Sequence, residues 1–125
     1  MPNLPPEVLA AWNNRNGAVV LTTVDANGLP NSIYASSVGL HGDDTLVVAD
    51  NYFDKTRKNL ESERKGLILF MTKDNKAYQI KGRLEYHRTG VIFDEMKQWN
   101  SPKHPGVAAA ALHVEEVYSG AKKLL

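Results

Sequence analysis

The chain has 125 residues, 42% of them hydrophobic and 23% charged, which is enough apolar material for one core and too little length for two. Fifteen lysines and arginines stand against fourteen acidic residues, a balance that excludes a generally basic nucleic-acid-binding surface and confines any cationic site to a local cluster. With no cysteine, disulfides, thiolate nucleophiles and cysteine-ligated metal centres are excluded.

Residues 1–6 lack the basic segment and apolar stretch of a signal peptide, and no run reaches the length of a membrane span, so a cytoplasmic location is expected. Pro5 and Pro6 lead into a short helix whose apolar stripe is Val8, Leu9 and Trp12. Gly17 opens a β-branched strand over 18–24, which stops at Asp25, Ala26, Asn27 and Gly28; the Asn-Gly pair predicts a hairpin turn. The return strand, about 30–40, has Ser32, Tyr34, Ser36 and Ser37 among Ile33, Ala35 and Val38, giving it a small, hydroxyl-bearing face.

A turn at 41–44 precedes a third strand over 45–50 and a helix from Asp54 to about Arg64, stopped by Gly66. The apolar run from Leu67 to Met71 predicts a strand from Gly66 through Lys73 covered on both faces. A long strand over 77–87 places Tyr78, Ile80, Leu84 and Tyr86 alternately around Gly82, which marks a bulge or bend. A third helix over 89–99 carries Ile92, Phe93 and Met96, a loop with Pro102 and Pro105 follows, and the last strand, 107–118, leads into a short basic tail. About six antiparallel strands, three short helices and no βαβ rhythm predict a mainly β, single-domain barrel, residues 1–125, with helices plugging its ends.

Among these elements the start of the helix at 54 carries the chemistry. Asp54 is a good N-cap, so Lys55 and Thr56 fall in the first turn, where free N–H groups and the helix dipole favour an anion. The plain alternative is a capped surface helix with solvated lysines. Leu60 is its one strongly apolar residue, too little to anchor it by burial alone. Lys55, Arg57 and Lys58 oppose the dipole unless an anion is present, and Asn51, Tyr52 and Phe53 can bring amides and an aromatic ring beside the same spot. An aromatic ligand bearing a phosphate suits that arrangement.

Other chemistries find less support. Ser36, Ser37, His41 and Asp43 lack a nucleophile elbow. The four histidines, His41, His87, His104 and His113, show no metal-ligand spacing and read as solvated or core-edge residues, so no metal site is expected. Glu115 and Glu116, adjacent on a strand, are expected on opposite faces and so cannot form a carboxylate pair.

The strand over 18–24, the turn over 25–30, the run from Leu46 to Asp50 into Lys55, Thr56 and Asn59, and the stretch from Ala111 through His113 to Gly120 together resemble the flavin-binding split β-barrels related to pyridoxamine 5′-phosphate oxidase, in particular their short FMN-binding members. The resemblance implies an antiparallel split β-barrel of Greek-key type and non-covalent FMN. Lys55 and Thr56 would hold its phosphate, with Asn59 supporting that loop. Tyr34, Ala35 and Ser36 would lie along the isoalloxazine ring, and Asp50 and Asn51 would border the ring or ribityl chain. It also implies a homodimer with flavin at the subunit interface, where Trp99 or Tyr118 could come from the partner. No protein catalytic residue, nucleic acid or membrane is implied.

The function so implied is electron transfer or a small flavin-dependent oxidoreductase. A binding or sensing module for a deazaflavin or haem on the same barrel is the alternative. The vitamin-converting oxidases carry a longer C-terminal segment, so pyridoxamine phosphate oxidation is not expected of a chain ending at Leu125. Some short members have glycines where Asn51 and Tyr52 stand here.

Overall fold

Eight strands form one antiparallel sheet in the computed structural model, which describes residues 2–125. The elements in chain order are α1 (Pro6–Asn13), β1 (Val19–Val24), β2 (Pro30–Ala35), β3 (Val38–His41), β4 (Thr45–Asp50), α2 (Lys55–Ser62), β5 (Lys65–Met71), β6 (Ala77–His87), α3 (Val91–Trp99), β7 (Ala108–Ser119) and β8 (Lys122–Lys123). The sheet runs β2-β1-β5-β6-β7-β4-β3, with β8 added beside the end of β7. Its two terminal strands, β2 and β3, are consecutive in sequence yet do not pair. This is a split barrel, mainly β, with three helices, as the sequence predicts.

The strand count exceeds the six expected by two, because the segment 30–40 divides and the tail adds the two-residue β8. β2 pairs with β1 and β3 with β4, leaving Ser36 and Ser37 between the two ladders. The hairpin turn between β1 and β2 forms as expected: Asp25 Oδ1 accepts from the amides of Asn27 and Leu29, and Gly28 takes a positive φ of 81°.

The concave side holds the main core, built from Val19 and Leu21 of β1, Ile68 and Phe70 of β5, Ile80 and Leu84 of β6, Leu46 and Val48 of β4, and Leu112 and Val114 of β7. Helix α1 closes one end with Val8, Ala11 and Trp12, whose ring meets Phe70 edge-on at 5.2 Å. Leu124 and Leu125 pack on the same core, and the Leu124 amide donates to Val117 O. On the convex side α3 lays Met96, Ile92 and Phe93 over Val47, Ala49 and Ala109.

The strand covered on both faces is therefore β4, all six of whose residues are buried, not the run over 67–71. In β5 exposure alternates, and Leu69 and Met71 reach the surface. A continuous apolar run does not distinguish a strand with a covered outer face from one whose outer face is bare, and here α3 crosses β4 instead of β5.

Gly82 does mark a bulge: the β6–β7 register shifts between Lys81 and Gly82, leaving Glu115 as the extra residue. Because of it Val114 and Val117 both enter the core, and neither Glu115 nor Glu116 does, which corrects the expectation that they point to opposite faces. A Cβ at Gly82 would stand 2.0 Å from the His113 carbonyl oxygen, a backbone atom with no room to yield. Gly82→Ala is expected to destabilise the fold by about 1–3 kcal/mol, read as a lower denaturant midpoint at unchanged slope.

Candidate functional site

Where β2 and β3 part, the sheet opens a cleft of about 360 Å³, within the range of small-molecule sites. One wall is the seam from Tyr34 to Ser37. Ala49 of β4 forms the floor, and the loop Asn51, Tyr52, Phe53 with the first residues of α2, Lys55 and Thr56, forms the opposite side. Among the described residues, Ser36 has no partner in either flanking ladder, so its backbone is left at the cleft edge for a ligand or water. Tyr34 and Tyr52 are 82% and 72% exposed beside this cleft.

The start of α2 departs from expectation in an informative way. Asp54 occupies the N-cap position but makes no side-chain capping bond, and the first turn carries no acidic residue. Its first amides are thus left without the side-chain acceptor that usually satisfies them. Thr56 is buried, and its hydroxyl accepts a 3.1 Å hydrogen bond from Asn31 Nδ2, which leaves the hydroxyl proton to donate. Lys55 is exposed at the same end. An uncapped helix start with a hydroxyl donor and an ammonium beside it is a site for an anion.

What holds so polar a helix in place is equally specific. Arg57 does not face an anion at the helix start: it forks onto Asp50, with Nε to Oδ2 at 2.8 Å and Nη2 to Oδ1 at 3.0 Å. The same carboxylate accepts from the Phe53 amide at 3.0 Å and from the Tyr86 hydroxyl. Burial of Asp50 pushes its carboxyl up, but the hydrogen bonds from Arg57, Tyr86 and the Phe53 amide outweigh this and hold it below the usual carboxylate range. Burial and the hydrogen bond to Asp50 push the Tyr86 hydroxyl up to about 12. Asn59, buried on the inner side of α2, donates to Thr23 Oγ1 on β1 at 3.0 Å. The helix ends at Ser62, two residues short of the expected Arg64, and Glu63 is already extended.

Of the eight residues singled out in the sequence, Tyr34, Ala35, Ser36, Asn51, Lys55 and Thr56 line the cleft. Asp50 and Asn59 lie behind its wall and brace it, Asp50 with its carboxylate fully buried. Asn51 turns its amide toward the loop after α3, exchanging hydrogen bonds with Asn100 and accepting from the Gly106 amide at 3.0 Å. That clasp brings His104 to the cleft, where its Nδ1 lies 3.2 Å from the Tyr52 hydroxyl. The sequence does not mark Asn31 as a cleft residue, and it reads His104 as a solvated or core-edge histidine; Asn31 falls opposite Thr23 in the hairpin register, a signal legible once that register is fixed, whereas no local pattern places His104 at the cleft. Trp99 and Tyr118, candidates to reach a partner, engage their own chain: Trp99 lies against Gly39, and Tyr118 donates to Glu116.

Among the described residues no helix is long and apolar enough to cross a membrane. The chain is 28% identical over 110 residues to an uncharacterised protein of Methanocaldococcus jannaschii, covering 83% of this chain and 73% of that one. The crystal structure of HupZ from Group A Streptococcus superposes with a TM-score of 0.80 at 27% identity, over 93% of each chain. An FMN-binding protein from Syntrophomonas wolfei shares the fold, with a TM-score of 0.77 at 23% identity over 90% of this chain and 83% of that one. The family model for pyridoxamine 5′-phosphate oxidase matches residues 4–120, and the chain belongs to that family.

Proposed function

We propose that residues 1–125 act as one flavin-binding unit that holds FMN non-covalently in the cleft between β2 and β3. In this reading the protein is a cytoplasmic homodimer that serves in electron transfer or as a small flavin-dependent oxidoreductase. The observation that carries the reading is the uncapped start of α2, with Lys55 and Thr56 opening onto a cleft edged by aromatic residues. Family membership supports a flavin as the occupant.

The residues present fit the group. Lys55 would neutralise phosphate charge, Thr56 would donate its spare hydroxyl proton, and Asn31 would keep that hydroxyl aimed by occupying its acceptor side. Tyr34, Ala35 and Ser36 would border the ring, Ser36 through its unladdered backbone. Bound flavin supplies the electron- and hydride-accepting chemistry, so the protein's part is to bind, orient and shield, and no protein nucleophile is required. A second copy laid over the exposed Tyr34 and Tyr52 would exclude water from the cleft, and sedimentation tests that dimer.

Adding FMN to the purified chain and recording the visible spectrum tests the proposal. A two-band flavin spectrum that stays with the protein through gel filtration is the expected result. A colourless protein that ignores FMN overturns it, and a Soret band on the purified protein assigns the cleft to haem. Bleaching by NADH or NADPH then separates a reductase from a carrier that takes electrons from another protein.

A further inference from the structure

Two histidines and a glutamate that lie far apart in sequence meet on the convex side of the sheet. Glu85 and His87, two residues apart on β6, share a face, and His113 comes from the neighbouring β7. The residues opposite Glu85 and His87 in the register are Ala111 and Ala109, whose small side chains carry no competing polar group. One ligand atom from each of Glu85, His87 and His113 lies within 4.8 Å of the other two. None of the three lines the cofactor cleft.

The hydrogen bonding around this cluster is incomplete in one direction only. His113 is 7% exposed, and its Nδ1 lies 3.1 Å from Thr45 Oγ1. The Thr45 hydroxyl donates its one proton to Asp44 Oδ1 at 2.8 Å, so toward His113 it accepts, and the His113 proton sits on Nδ1. The other ring nitrogen, Nε2, then presents a lone pair. It stands 2.6 Å from Glu85 Oε1 without hydrogen-bond alignment, and both it and His87 Nε2 are buried with no hydrogen-bond partner. A lone pair pressed against a carboxylate repels it unless a cation lies between them.

We propose that Glu85, His87 and His113 form a binding site for a divalent first-row transition ion, Zn²⁺ foremost. Two imidazoles and one carboxylate are the nitrogen and oxygen donors such ions take, and three protein ligands leave one position for water. Bonds of about 2.0–2.1 Å at tetrahedral angles put ligand atoms roughly 3.3 Å apart. The partly exposed Glu85 therefore needs to swing out by about 0.7 Å from its present 2.6 Å contact. The Asp44–Thr45–His113 chain supplies the outer hydrogen bond that fixes a metal-bound histidine's tautomer and orientation. Arg83 lies 3.6 Å from Glu85 at the exposed rim of the cluster.

The test uses the full chain without a histidine tag, stripped with chelator and dialysed against Zn²⁺, with bound metal counted by mass spectrometry and Co²⁺ substitution followed in the visible spectrum. One ion per chain and the intense bands of four-coordinate Co²⁺ are expected. His87→Ala and His113→Ala are each expected to weaken binding by about 100-fold or more, and Thr45→Val by roughly 10- to 100-fold, the range for loss of an outer-shell partner. Circular dichroism verifies that each variant folds, and the half-buried His87 supplies the decisive variant if the buried position at 113 does not tolerate change. Substoichiometric metal, or affinity unchanged in His87→Ala, overturns the site and assigns the cluster to a proton-bridged pair.

Discussion

Lys55→Ala is expected to weaken FMN binding about 10- to 150-fold, the equivalent of one charge-assisted hydrogen bond worth roughly 1.5–3 kcal/mol. Lys55 is exposed and no carboxylate is paired with it among the described residues, so its removal leaves the fold intact and takes a charge only from the ligand. The loss shrinks as salt rises, because an exposed ammonium is screened. Riboflavin, which lacks the phosphate, separates this effect from a general loss of the cleft: its affinity is expected to be the same for the wild type and Lys55→Ala. Thr56→Val removes a neutral donor and costs a smaller factor, about 2- to 12-fold. A fluorescence titration in which FMN binds wild type and Lys55→Ala equally would sink the phosphate assignment.

The larger effect on the fold itself is expected at Asp50. Replacing it by Ala leaves the Arg57 guanidinium, the Tyr86 hydroxyl and the Phe53 amide facing a void where one carboxylate served all three. Arg57 is 36% exposed and can turn to water, so the cost falls below the roughly 3–5 kcal/mol of a fully buried pair, and a fall in Tm on the order of 10 °C is expected for a domain of this size. The pH dependence has a definite sign. The folded carboxyl is held below its unfolded value, so its contribution is fully present above about pH 4 and is lost as pH falls through the lower folded value. Denaturant midpoints measured between pH 6 and pH 2 are expected to fall less steeply for Asp50→Asn than for wild type. An unchanged acid limb in the variant would show that this carboxylate does not govern acid stability.

The elements legible in the sequence are those with a local cause. The Asn27-Gly28 hairpin, the bulge at Gly82 and the existence of β4 as a strand each follow from backbone freedom or local β-propensity. The features that differ from the sequence-based expectation have a non-local cause. Whether β5 or β4 has a covered outer face depends on where α3 crosses the sheet, and the division of residues 30–40 depends on which neighbour each half finds. At the site, Lys55 and Thr56 were visible because a helix start imposes its own electrostatics. The cation that sequence reading set beside them, Arg57, belongs to Asp50 instead, a pairing seven residues apart that α2 makes by folding back over the strand end. His104 reaches the cleft through the Asn51–Asn100 clasp, and no local pattern encodes that contact.

The seam between β2 and β3 has a consequence for how a ligand would act on the molecule. Its two banks are the opposite ends of a single continuous sheet, so the cleft exists only after every intervening strand has found its neighbour. The free energy of binding would therefore favour the completed barrel over a partly assembled chain. At a free ligand concentration of 100 Kd this adds about 2.7 kcal/mol. Occupancy of one surface cleft would thereby protect distant strands from proteolysis and hydrogen exchange.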